Sequence, residues 1–479
     1  MRVMLVMAFC LAVVQMVGGQ SILFPWSGFA HTPQHDCISM VPSQPLNSIK
    51  WTMQIGTGDN HYSSPVVTLS NTVIIPAQVT NGGFAIRALA GQTGQTNWEQ
   101  LTDYAAPQDD NPEFGNAVCP LALTPRNRLY FAGAGGTVFY CDSPDTTASP
   151  SFARTAFFGL SNYLSNTNSF NAHVYICTPI TPDRYGDIFF GFQMVGKSPL
   201  GTQGGLARID YNGIGSWISA SNIIGSTNVF QLTLNCAPAL SLDQKAVYTA
   251  LTVTNPFGAW FAAIDSRTLS PVAAVALIDP QTKSLANLGD YSTASPTIGP
   301  DGDVYFGVQR DEDDERGWLL HFDSSLSVAK TPGLFGWDVT DSIVSASLVP
   351  SYQGNSTYLL ATKYNNYGVA QYSMAILDPQ QGVLDPQSGV TVMAAVLTIP
   401  SPVEKEWCVN SAAVDPFSKS VLANNEDGDL YRWDLTSNQL IESIALTTIQ
   451  TGEAYTPTVI GVDGTVYAIN HGVLFAVGQ

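Results

Sequence analysis

The sequence predicts an all-β protein built from one repeated four-stranded unit, and three observations predict it. The chain has 479 residues, of which 12% are charged and 45% hydrophobic. That charged share is about half the usual one, and Lys/Glu-rich helical stretches are absent. A strand–turn–strand phrase also recurs: "YTPTVIGVDGTVYAI" near the C-terminus matches "SSPVVTLSNTVIIPA" at 63–77, "CPLALTPRNRLYFAG" at 119–133, "CTPITPDRYGDIFFG" at 177–191 and "ASPTIGPDGDVYFGV" at 294–308. Finally, a third short apolar strand follows each pair. These third strands end at Ala90, Asp142, Asp210, Asp265, Asp323, Asp378, Asp434 and Gly478, a spacing of roughly 44 to 68 residues, in the range of propeller blades.

Each element has a physical reason. Proline suits the first residue of the innermost strand, where no ladder donor is needed. Aspartate at the end of the third strand caps the following turn by accepting backbone N–H groups. A fourth strand follows, carrying Trp98 in "GQTGQTNWEQ" and Trp217 in "YNGIGSWIS". The last repeat lacks this outer strand, and "SIKWTMQIG" at 48–56 supplies it ahead of the first repeat. Residues near 50 are therefore predicted to pair with Val473–Val477 and to close a ring, which removes the free sheet edge. The prediction is an eight-bladed β-propeller over 47–479. Seven blades is the alternative, because the sixth repeat (Asp341–Pro400) is irregular and its first strand, "SASLV", lacks the proline.

Residues 1–19 read as a secretory signal: Arg2, an apolar stretch from Val3 to Val17, then a small-residue exit at Gly18-Gly19. A membrane anchor is the competing reading, and no later run is long and apolar enough to span. Residues 20–46 form a lead-in. The net charge of −19 disfavours nucleic acid as a partner. Six cysteines remain after the signal: Cys37, Cys119, Cys141, Cys177, Cys236 and Cys408. An even count in a secreted chain predicts up to three disulfides. Cys119, Cys177, Cys236 and Cys408 start innermost strands, so bridges between neighbouring inner strands are expected, with a thiolate soft-metal site as the alternative. A Cys119–Cys141 bridge is disfavoured because the two lie at opposite ends of one blade. Asn355-Ser356-Thr357 is a single glycosylation sequon.

The run "SPVV…TVII…AIRALAGQTGQTNW" resembles the repeat of the pyrroloquinoline-quinone-like β-propellers. The lead-in, with a Trp and two His, is similar to that of secreted members, and the resemblance covers about 20–479. It implies the propeller fold. It also implies two kinds of activity, because the family holds quinone-dependent dehydrogenases alongside non-catalytic scaffolds. The enzymes of the family place adjacent cysteines over the cofactor, and no Cys-Cys dipeptide is present here. Their calcium ligands and Asp base match no local motif of this chain, so no catalytic residue is carried over.

The loops leading into the innermost strands share one face of a propeller, the upper face, where ligand sites gather. Here they carry His61 and Tyr62, Glu113 and Asn116, His173 and Tyr175, Gln231 and Asn235, Asp290 and Tyr291, Asp341, then Glu404, Glu406 and Trp407, and finally Glu453 and Tyr455. Aromatics beside carboxylates suit a glycan, and carboxylates with carbonyls suit Ca²⁺. The ligand-binding set is His61, Tyr62, His173, Asp290, Tyr291, Glu404, Glu406, Trp407 and Glu453. The acidic run Asp311–Glu315 falls on the same face without EF-hand spacing. "NNEDGD" at 424–429 reads as a tight hairpin. His31 and His35 flank Pro33, which argues against a helical metal pair and leaves them to cover a channel face. No G-x-S-x-G, H-E-x-x-H or Walker loop occurs. The expected function is that of a secreted, monomeric binding or scaffold protein for a glycan or an extracellular protein, without a cofactor. One alternative is a dehydrogenase dependent on pyrroloquinoline quinone (PQQ) and Ca²⁺. Another is a hydrolase or lyase using Glu404 and Glu406, which lie two apart and so share a strand face.

Overall fold

In the computed structural model, Val66–Val67, Thr72–Gln78, Phe84–Ala90 and Thr96–Thr102 form blade 1, each strand antiparallel to the one before. The structure describes residues 25–56, 63–80, 82–106, 119–253, 258–288, 294–309, 316–336, 339–403, 405–407, 409–448 and 456–479. Eight sheets of this kind make an eight-bladed propeller. In blades 3 and 4 the innermost strand is split in two, as Val174–Ile176 with Thr181–Pro182 and as Val229–Leu232 with Ala239–Leu240. Strand alternation builds the seams between blades. In blade 6, Leu360 packs with Tyr305 of blade 5, while its neighbours Leu359 and Ala361 pack with Val414 and Trp433 of blade 7.

The seven-blade alternative falls, because the irregular sixth repeat forms a complete sheet: Ser342–Ser345, Tyr358–Lys363, Ser373–Leu384 and Thr391–Pro400. Its innermost strand lies three residues earlier than "SASLV", most of which is a 3-10 turn at Ala346–Leu348. The reason is register. Ser342 and Ile343 find ladder partners in Ala361 and Leu360, and Ser345 is already exposed.

Ring closure is as predicted. Ser48–Gln54 is the outer strand of blade 8 and pairs antiparallel with Val473–Gly478, with Thr52 opposite Phe475. Three short helices depart from the all-β pattern. Leu160–Ser165 and Thr167–His173 lie before blade 3, and Ala220–Ile224 follows it. The last is capped by the Ser219 hydroxyl, which accepts from Asn222 N–H, and is stopped by Gly225 at φ 72°.

The lead-in is a strap across the lower face. Its carbonyls accept an N–H from one innermost strand after another, in chain order. Trp26 takes Val67 (3.0 Å), Ser27 takes Leu123 (2.7 Å), Pro33 takes Leu240 (2.7 Å), Gln34 takes Ile298 (3.0 Å), Asp36 takes Ile343 (3.0 Å) and Cys37 takes Val414 (2.9 Å). Blade 3 is passed over because its corresponding residue, Pro182, has no N–H. Gln44 N–H then bonds Gly464 O in blade 8. Phe29, Ala30 and Cys37 pack with Ala237 in the axial channel. His31 and His35 are buried in this plug without being helical, since both have positive φ.

The aspartate caps are present. Asp210 accepts from Asn212 and Ile214 N–H, Asp265 from Arg267 and Thr268, and Asp434 from Thr436 and Ser437. Asp142 instead pairs with Arg128 at 2.5 Å. The predicted disulfides are not formed. Cys37, Cys119, Cys141, Cys177 and Cys236 are free, buried thiols, and Cys408 lies outside the described residues. Cys177 and Cys236 hold equal offsets from their prolines, yet Asn235 is the residue whose N–H meets Cys177 O (2.9 Å). Hydroxyl bonds join these strands instead. The Ser63 hydroxyl accepts from Cys119 N–H (3.0 Å), and that of Ser295 accepts from Ala237 N–H (2.8 Å). The hairpin at 424–429 is as read, with Gly428 at φ 91° and Asp427 Oδ1 accepting from Asp429 N–H.

Candidate ligand-binding face

The strap covers the lower end of the axis, and the loops entering the innermost strands stand at the other end, the upper face. Its best-defined polar cluster joins blades 6 and 7. Glu406 comes from the loop leading into blade 7, and its Oε2 accepts a short bond from the Tyr367 hydroxyl. Tyr367 stands on the 3-10 turn Tyr367–Val369, in the loop between the second and third strands of blade 6. Asn365 Nδ2 ties the two loops together by donating to Trp407 O at 3.1 Å. Its Oδ1 accepts from Ser373 N–H at 3.2 Å. Tyr367 sits between Phe335 (ring centroids 6.0 Å apart) and Tyr372 (5.9 Å). Lys363 is buried, with Nζ 5.2 Å from the Phe335 ring centre. Glu426 of blade 7 lies on the same face.

Electrostatics follow from that packing. Burial raises the Tyr367 hydroxyl's pKa, with Lys363 lowering it and Glu406 raising it, so the group stays a neutral donor to the carboxylate. Burial also raises Glu426, and Glu406 adds to this. Trp407 is fully buried and meets Tyr431 edge-on at 5.5 Å, so its ring packs beneath the cluster. Tyr431 in turn donates to Asp427 Oδ2 (2.7 Å). Val369 and Val403 stand exposed beside the cluster, giving it an apolar margin.

Of the sequence-derived set, the structure therefore brings Glu406 and Trp407 together. His173 sits on blade 3, four blades round the ring, with Nδ1 2.7 Å from Val195 O. His61, Tyr62, Asp290, Tyr291, Glu404 and Glu453 lie outside the described residues, as do Glu113, Asn116, Tyr455 and the run Asp311–Glu315. Gln231 is buried and Asn235 half-buried at φ 61°. Sequence reasoning missed Lys363, Asn365, Tyr367, Tyr372 and Glu426. The signal was present in "TKYNNYGVAQY", an aromatic and amide-rich connection between second and third strands, which shares the upper face.

Toward the strap, the described residues include three buried ionisable groups: Asp341, His35 and Cys37. Asp341, immediately before the innermost strand of blade 6, has its carboxyl pushed up to about 7 by burial, with only the Thr362 hydroxyl acting the other way. Burial lowers His35 to about 4, against the Pro296 carbonyl, which lies 2.6 Å from Nδ1, and the Asp36 charge. Burial pushes the Cys37 thiol up to about 12; the Ser342 and Ser411 hydroxyls lower it, and the Asp36 and Asp341 charges raise it. The stability contributions have opposite signs. Asp341 favours folding fully below its unfolded value, and that contribution is lost as pH rises through about 7. Neutral His35 favours folding above its unfolded value near 6.5, and that contribution is lost as pH falls through about 4. Between pH 4 and 6.5 the two slopes oppose each other. Melting curves across pH should thus show Asp341→Asn gaining stability with rising pH in that window, and His35→Gln losing it. Parallel profiles for wild type and both variants would remove these groups from the account.

Three comparisons bear on this arrangement. No protein-family model matches the chain, and no curated protein sequence matches it. Solved structures do. A europium-containing methanol dehydrogenase is 10% identical, over 92% of this chain and 88% of that one, with a TM-score of 0.55. The quinohemoprotein alcohol dehydrogenase of Comamonas testosteroni is 12% identical, over 95% and 77%, with a TM-score of 0.57. The Dos1 propeller is 10% identical, over 90% and 94%, with a TM-score of 0.51. The likeness is one of fold. It supports the propeller fold that the repeat resemblance implies. Among the described residues no three carboxylate, imidazole or thiol groups converge on a metal position, and the Trp407 indole beside the site is buried. The loops at 57–62, 107–118, 289–293 and 449–455 lie outside the described residues, and no step is derived through a quinone site. No described helix is long and apolar enough to cross a membrane.

Proposed function

We propose that this chain is a secreted binding or scaffold protein whose ligand, a glycan or an extracellular protein, docks on the upper face of the propeller. The observation that carries this reading is the cluster of Tyr367, Tyr372, Asn365 and Glu406 on the upper face. Half-buried aromatic rings offer a stacking surface, and a carboxylate held by a neutral phenol and a nearby carboxamide is a fixed acceptor for hydroxyl groups. Glu406, Trp407, His173, His61, Tyr62, Asp290, Tyr291, Glu404 and Glu453 are its proposed contact or supporting residues. Residues 1–19 are the proposed export signal, and Asn355, exposed on a lower-face loop, is the proposed glycan acceptor where the host glycosylates. The dehydrogenase reading is supported by the fold likeness to two dehydrogenases. That likeness is shared with the Dos1 propeller at a similar TM-score.

The test is binding of the purified protein to arrayed neutral and acidic glycans. Saturable binding is expected, weakened about tenfold by Tyr372→Ala or Glu406→Gln, equivalent to about 1.4 kcal/mol, with an unchanged melting temperature. Full binding by both variants would move the site off blades 6 and 7.

A further inference from the structure

A separate cavity lies on the lower face, at the far end of the axis from Glu406. Its volume is about 430 Å³, within the roughly 300–1,000 Å³ of small-molecule sites. Its origin is the strap's passage over blade 3. With no N–H at Pro182 to hold it, the strap leaves the ring there and turns back on itself. Ala30 and His31 take positive φ (51° and 78°), and Cys37 N–H bonds Ala30 O at 3.2 Å. The turn leaves a space between the strap and the lower-face turns of blades 2, 3 and 4. Pro25, Pro33, Pro125, Pro182, Ile38 and Met40 give it a largely apolar wall. Proline rings lose no side-chain entropy when a ligand settles on them.

One charged group in this wall is held in place yet incompletely used. Asp36 Oδ1 faces His31 Nδ1 at 3.2 Å and accepts from Ile38 N–H at 3.2 Å. Its Oδ2 has no protein partner among the described residues, and the side chain is 26% exposed. His31 is itself fixed against the Trp26 ring, at 4.6 Å between centroids. The wall's other carboxylate, Asp183, is buried, at 4% exposure. Asp183 Oδ1 accepts from the N–H groups of Tyr185, Gly186 and Asp187. Arg184 donates to Asp243 O and lies over Tyr185.

We propose that this cavity binds a small apolar molecule carrying one ammonium group, with Asp36 as its anionic partner. The apolar wall takes the body of the ligand, and the spare carboxylate oxygen takes an N–H of the cation. This site is independent of the upper-face reading, and neither stands on the other.

The probe is 2-phenylethylammonium, compared by calorimetric titration with 2-phenylethanol and phenylacetate, which share its ring and differ in charge. Saturable binding of the ammonium is expected, with the alcohol at least about tenfold weaker and the carboxylate weaker still. Asp36→Asn keeps an oxygen for Ile38 N–H and should bring ammonium and alcohol to equal affinity. Met40→Trp should fill the cavity and abolish binding of both at an unchanged melting temperature. If that variant does not fold, the three-probe comparison on wild type and Asp36→Asn decides alone. No saturation by the ammonium at millimolar concentration, equal binding of the three probes, or an undiminished preference in Asp36→Asn would each overturn the proposal.

Discussion

Trp51→Ala is expected to destabilise the protein by about 3–5 kcal/mol, the range for removing a buried large aromatic. Trp51 is 9% exposed on the strand that closes the ring. Its indole N–H donates to Gly91 O of blade 1 at 2.8 Å, and its ring lies 5.7 Å from that of Tyr467 in blade 8. Gly94, at φ 69°, passes so close that a Cβ there would come within 2.6 Å of the indole. One side chain therefore binds the first blade to the last. Trp98 is the matched control. It occupies the outer strand of blade 1, is 4% exposed, and donates to Pro144 O at 2.8 Å, but it closes nothing. Both alanine variants should lower the denaturation midpoint comparably. Only Trp51→Ala should speed amide exchange in both the 48–54 and 473–478 strands. Equal exchange in the two variants would mean that Trp51 supplies packing without closure.

The second large effect is expected at Arg432, where Arg432→Met should cost about 3–5 kcal/mol, the usual loss when a buried charge is stripped of its partner. Arg432 is buried in blade 7 and holds the strap to it. It donates to Ser43 Oγ (2.7 Å), Gln44 O (2.7 Å) and Glu442 Oε2 (2.8 Å). Its guanidinium lies 3.6 Å from Asp415 Oδ2, whose side chain is fully buried. Asp415 in turn accepts from Ser43 N–H and hydroxyl. Removing the cation leaves that carboxylate among hydrogen bonds but without a counter-charge. Pairing the change with Asp415→Asn should recover much of the loss. A double variant whose cost equals the sum of the two single ones would show that the pair is not coupled.

What was readable in the sequence was whatever repeats. A proline before most innermost strands, a capping aspartate after most third strands and a tryptophan in three outer strands recur, so eight blades and the Trp51 closure could be placed from residue types alone. The inner strand of blade 6 was misplaced because Ser342-Ile343 carries no proline and is defined by its partners, Ala361, Leu360 and the Asp36 carbonyl. The strap's course was hidden for a related reason. It is held by its own carbonyls, which every residue has, and the one sequence mark of its path is the proline at 182 that it skips. The cysteines misled because an even count in a chain read as secreted signals disulfides, whereas the five described ones are free, buried thiols. The site on blades 6 and 7 was half visible. Glu406 stands out beside a tryptophan, but the residues that hold it come from another blade's connection, and nothing in a linear reading brings Asn365 and Tyr367 to it.

The central claim is that this propeller binds its ligand on the upper face without a quinone. The most direct measurement strips the purified protein of metal and titrates it with PQQ, with and without Ca²⁺, following tryptophan fluorescence and melting temperature. The account predicts no saturable change in either signal up to high quinone concentration. Saturable, Ca²⁺-dependent quenching with a raised melting temperature would contradict it and make the protein a quinone-binding dehydrogenase candidate.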